Sequence, residues 1–487
     1  MIQSFDLLTE QVQKLFPEFQ SIHFFESSAN AAQDGELVML SLDGEDKLLL
    51  LSDSSLFLDA FTGDSRGNCK LCPLSHENRL ALNKCLPFTV PTAVGVEGAS
   101  IGLGDRLGLA GFAHLAALGD YPVKPVLAQQ SIRELNFTHR HFEEVIDAAA
   151  WAVFKAGWRR GYAADGDHLK KESDIAHAVD LGISMLTLDC SDWLQTLPAK
   201  AADLDKVYEE LPAAVRLRLE KEYLNDVEAA ELGIRIDLPT LKRVAVIYSE
   251  AIAFAKKIYR TYLEHADRAI DFEISIDETE EVTGAAAHYF FARELRDDGV
   301  SITSMAPRFV GEFQKGIDYM GDLKVFEQDL NRHAMIAEHF GHRLSIHSGS
   351  DKFRIFPLVG RATHGKFHLK TAGTSWLEAL RVIAEKNPVL FRKLYQCASS
   401  NLAEAKSYYV IQTEIDSVPL NDLLEDAQLP ALLNHEAARQ LLHVTYGFMW
   451  ADEELKTELF ATLKEFRERY DEALVEHIGR HISALLG

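Results

Sequence analysis

The side chains of this sequence best suited to chemistry are histidines and carboxylates standing where apolar runs end. His347 closes the run Leu344-Ser-Ile346 and opens onto Ser348-Gly349-Ser350-Asp351-Lys352, small residues that let a ligand approach the backbone. His168 follows Asp167 in Gly166-Asp167-His168, and His368 lies inside Phe367-His-Leu369. Histidine is the commonest metal ligand. His168 and His347, set among small and acidic residues, read as ligands; His368, alternating with apolar neighbours, reads as core. Asp167 reads either as a general base near the cation or as the cap of the helix that follows. In Asp271-Phe-Glu273-Ile-Ser275-Ile-Asp277-Glu278, a period of two puts Glu273, Ser275 and Asp277 on one face. If both faces of that strand are buried, an inward row of carboxylates needs a positive partner, and a cation supplies one. Glu278, just past the strand, reads as a helix cap or an outer group. The segment Arg308-Phe-Val-Gly-Glu312-Phe-Gln314-Lys315 offers oxygen donors, Glu312 or Gln314, to complete a nitrogen-and-oxygen site. Such a set suits one divalent cation, Zn, Mn, Ni or Co. Arg106, Arg308, Lys352 and Lys370 stand near strand ends, where they could bind a substrate carboxylate, and Gln129, Ser348 and Asp351 join them as substrate-binding candidates.

The elements that position these residues follow from periodicity. Eight short apolar runs end in polar residues: AVGVEGASIGLGDR, PVLAQQ, GYAADGDHLK, MLTLDCSD, DFEISIDE, SITSMAPRF, LSIHSGSDK and KFHLKTAG. Helical patterns with apolar residues three and four apart fit between most of them, as in HRHFEEVIDAAAWAVFKAGW and LKVFEQDLNRHAMIAEHFG. This predicts an α/β fold, a (β/α)8 barrel over 93–375, whose active site is built at the carboxyl ends of its strands. Residues 1–92 predict an accessory N-terminal α/β segment bounded by Pro87 and Pro91. A helical insertion spans about 193–268, and 376–487 predict a helical C-terminal region packed on the barrel. The glycine-rich SIGLGDRLG has the spacing G-x-G-x-x-x-G and lacks a ribose-binding acid about 20 residues on. It reads as a strand-to-helix turn near substrate.

Composition narrows the function classes. With 74 acidic and 50 basic residues the net charge is −24, against a general nucleic-acid binder. No apolar stretch approaches the roughly 20 residues that span a bilayer, and the N-terminal stretch lacks a signal pattern, so a cytoplasmic protein without membrane partners is expected. Five cysteines fit a reducing compartment. Cys69, Cys72 and Cys85, with His76 between, offer a small zinc site only as the minor reading, because no second C-x-x-C closes it and the segment continues as the amphipathic helix ENRLALNKC.

Residues 100 to 480 resemble the D-tagaturonate epimerase family, sugar-acid enzymes of hexuronate catabolism. The motifs SIGLGDRLG, AQQSIREL, ADGDHLK, FEISIDETE, RFVGEFQKGIDYMGDL, HSGSDKF, FHLKTAGTSWLEAL and RQLLHVTYG carry the resemblance, in that order. In the first 95 residues only SHEN, around His76, matches. The resemblance implies a metal-dependent isomerase that interconverts D-tagaturonate and D-fructuronate. It implies His168, His347 and Gln314 as metal ligands with Glu312 as the fallback, Asp167 as proton acceptor and Glu273 as proton donor. Counted from the carboxylate, the inverted centre is C3 and the ketone is C5, so enolisation cannot invert it; retro-aldol and aldol steps can. The rival is transient oxidation and reduction, which needs a hydride carrier that the sequence does not advertise. A ketose/aldose isomerase, another ketohexose or ketohexuronate epimerase, and a sugar-acid-binding protein without turnover are the alternatives. A homo-oligomer stays open.

Overall fold

The first strands of the chain stand apart from the barrel. β1 (Ile22–Ala32), β2 (Gly35–Leu42), β3 (Glu45–Leu51), β4 (Asp64–Arg66) and β5 (Cys69–Cys72) make an antiparallel sheet in the order β1-β2-β3-β5-β4. Leu8, Val12 and Phe16, from the N-terminal helix Phe5–Leu15 and its cap, cover one face. Trp151 and Phe154 of the helix Phe142–Ala156 cover the other. Cys69 packs on the first face and Cys72 on the second, because residues three apart on a strand point opposite ways. They cannot share a metal ion. Burial drives both toward the neutral thiol, Cys69 up to about 11 and Cys72 up to about 12.

The computed structural model, which describes residues 4–197, 201–279 and 281–487, places all eight apolar runs in one closed parallel barrel. Its strands are β6 (Ala99–Leu103), β7 (Val123–Gln129), β8 (Ala163–Leu169), β9 (Met185–Asp189), β10 (Asp271–Ile276), β11 (Ser304–Pro307), β12 (Arg343–Ile346) and β13 (Phe367–Thr371). They pair in chain order, and β13 closes on β6. Outward residues such as Phe272, Ile274 and Ile276 join the core between barrel and helices, while the alternate set on β10, Glu273 and Ser275, is left for the interior.

Between β9 and β10 the insertion is helical, and its longest helix is Leu238–Ile258, whose N-terminal amides are capped by Asp237. Residues 1–3, 198–200 and 280, which include part of the insertion and the last residue of FEISIDETE, lie outside the described residues. After β13 come the helices Thr374–Lys386, Pro388–Ala405, Glu436–Val444, Tyr446–Ala451, Glu453–Glu465 and Arg467–Leu486, built around a core of their own. The last of them returns to the barrel and packs on the helices Gly111–Leu118 and Phe356–Ala362. Among the described residues no helix is long and apolar enough to cross a membrane.

Candidate active site

Two local distortions aim the histidines into the barrel mouth. On β8 the pairing register shifts between Gly166 and Leu169, and His168 takes a positive φ of 54°, which turns Asp167 and His168 out of strict alternation. Histidine is among the residues that tolerate this region. After β12, Ser348 (φ 52°) and Asp351 (φ 61°) bend the chain back. Gly349 fits there because a Cβ would meet Leu369 Cδ1 at 2.5 Å and Lys370 O at 3.0 Å. The result is a cavity of about 280 Å³, with Asp167, His168, Asp277, His347, Ser348 and Lys370 in its wall.

Beneath the histidines lies a buried ion cluster. Lys370 Nζ, from β13, donates to Asp165 Oδ2 (2.9 Å), Asp167 Oδ1 (2.7 Å) and Thr187 Oγ1 (2.5 Å), and stands 3.1 Å from Glu273 Oε1. Three carboxylates around one ammonium repay its burial, which alone would lower Lys370, and leave it well above the usual range. Burial would raise Asp167 and Glu273. Instead His168 and Lys370 hold the first, and Lys370 with His347 the second, below the ordinary carboxylate range. Asp165 differs: burial pushes it up to about 6 despite Lys370. His368 donates to or accepts from Ser100 Oγ at 2.8 Å, and burial lowers it to about 3, as befits a core histidine.

The carboxylates also set the tautomers of the two site histidines. His168 Nδ1 lies 2.7 Å from Asp167 Oδ1 and His347 Nε2 lies 2.8 Å from Glu273 Oε1, so each of these nitrogens carries the proton. The remaining nitrogens, His168 Nε2 and His347 Nδ1, then face one another as lone pairs 3.1 Å apart, with Asp277 Oδ2 3.4 Å from the latter. Three acceptors converging on one point call for positive charge. It can come from a proton, since Asp277 and Glu273 more than offset burial and raise His347 to about 9, or from a cation ligated by all three. A second group, Asp351 with His477 and His481, has similar spacing but a different donor pattern. His481 Nδ1 donates to His477 O (2.9 Å) while its Nε2 accepts from Asp351 N (3.0 Å), so no lone pair is left for a metal. That group ties the last helix to the loop after β12.

The other expected residues divide between wall and scaffold. Gln129, Arg106, Ser348, Lys352 and Lys370 border the cavity. Gln314 does not bond the histidines: its Oε1 accepts from Gln412 N and Gln440 Nε2, both at 3.0 Å and both in the C-terminal region. Glu312 is exposed, in a bridge with Met320. Asp277 stands where the third ligand was expected. It shares the period-two row with Glu273, a signal already present in the sequence. Glu273, 0% exposed, touches His347, Lys370 and Ser304 and has no share of the cavity wall. Arg308 also lies off the cavity and donates to Thr279 O. Asp351 is spent on Arg439, His477 and Thr374, again off the wall. Lys352, lowered by burial to about 7, donates to the carbonyls of Gln314, Ile317 and Ser350 and so pins the loop. Sequence reasoning passed over Asp165, Thr187 and His443, for which no motif gave a role.

The sequence model of the tagaturonate epimerase family matches residues 25–485. The chain belongs to the tagaturonate epimerase family. It is 41% identical over 420 residues to the tagaturonate/fructuronate epimerase of Thermotoga maritima, a match covering 85% of this chain and 86% of that protein. A glycerol-complexed crystal structure of fructuronate-tagaturonate epimerase from Cohnella laeviribosi superposes with a TM-score of 0.93 at 46% identity, covering 99% of both chains. The native crystal structure of that enzyme gives the same TM-score and identity over 98% of this chain and 99% of its own. The family match thus takes in the N-terminal sheet, where the motifs alone showed only SHEN.

Proposed function

We propose that this chain interconverts D-tagaturonate and D-fructuronate, with one divalent cation held by His168, His347 and Asp277. The observation that carries the metal is the convergence of three acceptors, Asp277 and the two histidines whose tautomers Asp167 and Glu273 set. The substrate comes from the names of the relatives. When bound, the cation supplies charge stabilisation to oxygens that become negative. The remaining work falls to the chain.

Asp167 is the base. His168 and Lys370 both bond its Oδ1, which leaves Oδ2 for substrate, and they keep the carboxyl ionised. It takes the proton of the C3 hydroxyl, counting from the substrate carboxylate. The C3–C4 bond breaks, its electrons pass toward the C5 carbonyl to form an enediolate, and C3 becomes an aldehyde. The aldehyde turns, C4 adds to its other face, and Asp167 returns the proton. Glu273 acts through His347 and Lys370 and does not touch substrate. Incubating the purified protein with D-tagaturonate, with and without EDTA, and following products by carbon NMR tests this reading. Fructuronate should form, stop forming in EDTA and form again with added Mn, Co, Ni or Zn; no conversion in any arm sinks the assignment.

A further inference from the structure

The cavity is lined by several cations, and the buried ones, Arg106, Lys352 and Lys370, are spent. Lys370 is surrounded by three carboxylates, and Lys352 is capped by three carbonyls. Arg106 pairs with Glu134 at 2.8 Å and stacks on Tyr446 with its Cζ 3.6 Å from the ring centroid. Lys315 is different. Its Nζ donates to Ser348 Oγ at 2.9 Å, and among the described residues no carboxylate lies within ion-pairing distance. An ammonium has three protons to donate, so the position is under-used.

A second group points the same way. His443, 1% exposed, forms part of the same wall. Arg106 Nη2 approaches its Nε2 at 3.3 Å, and a guanidinium can only donate. Nε2 is therefore the acceptor, and the proton sits on Nδ1, a buried N–H with no partner. Gly316, next to Lys315, stands beside the Cβ of His443, and Lys315 and His443 both line the cavity.

We infer that Lys315, Ser348 and His443 form the subsite for the substrate carboxylate and are what separates a sugar acid from a neutral sugar in this cavity. The inference rests on the sugar-acid reading above. Ser348 adjoins His347, so the subsite would hold the acid end while the reacting carbons lie over Asp167. His443 comes from the helix Glu436–Val444, and the C-terminal region thereby contributes to substrate choice.

The test uses binding, which needs no turnover. L-galactonate is a ketone-reduced counterpart of tagaturonate, and galactitol has the same skeleton without the carboxylate. By calorimetry the unaltered protein should prefer galactonate, and Lys315→Met should cut that preference about 10- to 100-fold, the scale of a charge-assisted hydrogen bond. Lys315→Arg should restore part of it, which a merely unfolded variant could not. Equal weakening of both ligands by Lys315→Met, or an unchanged preference, overturns the subsite. An unaltered protein that binds galactonate no better than galactitol overturns it too; failure to convert tagaturonate is a separate result, which would instead count against the function above.

Discussion

At the residue scale the site is a problem in charge balance, and each change has a direction. Lys370→Met leaves Asp165, Asp167 and Glu273 buried without their common cation. Breaking a buried ion cluster in this way costs about 3–5 kcal/mol, so urea unfolding should shift by that order, and a shift within error would show that the cluster does not hold the barrel. Asp167→Asn should keep the fold but lower turnover roughly 100-fold or more, the usual scale for a positioned base. Steady-state kinetics decides it, and near-normal kcat removes Asp167 from the chemistry. The third ligand is open to direct comparison. Asp277→Asn should lower metal content at a fixed free-metal concentration, whereas Gln314→Ala should leave it intact and loosen the contact with Gln412 and Gln440. The reverse pattern, read by elemental analysis of dialysed protein, restores Gln314 as the ligand.

At the element scale, what sequence could show tracks what periodicity encodes. All eight barrel strands were legible, because parallel strands buried on both faces are written as short apolar runs with polar ends. The inward row on β10 was legible for the same reason. Side-chain direction in loops was not. Gln314, Arg308 and Asp351 stand beside the strand ends in sequence, yet bonds to Gln412 and Gln440, a bond to Thr279 O and a contact with Arg439 and His477 hold each away from the cavity. Close approach between elements gives another prediction. β6 and β7 meet so tightly that a Cβ on Gly102 would lie 1.8 Å from Gln129 Oε1. Gly102→Ala should therefore push the Gln129 amide out of its place in the wall, raise KM and cost about 1–3 kcal/mol of overpacking. Kinetics with thermal melts checks both, and an unchanged KM removes Gln129 from substrate contact.

At the scale of the whole molecule, the barrel, its surrounding helices and the C-terminal helices hold several buried histidines that burial keeps neutral. Burial lowers His114 and His481 to about 4 and His342 and His368 to about 3. Each binds a proton in the unfolded chain below its ordinary value but stays neutral in the native one. Their contribution is complete above that value and is lost as pH falls, by about 1.4 kcal/mol per pH unit for each histidine. Melting temperature should decline from about pH 6.5 toward 4.5, before most carboxylates titrate, and a flat profile there contradicts the burial of neutral histidines. The central claim, that C3 inverts by carbon–carbon cleavage, is tested most directly by D-tagaturonate deuterated at C3, followed to fructuronate by NMR in ordinary water. The C3–H bond is never broken in this account, so the product should keep its deuterium and form without a primary rate effect; washout of the label, or a primary effect on the rate, would contradict it.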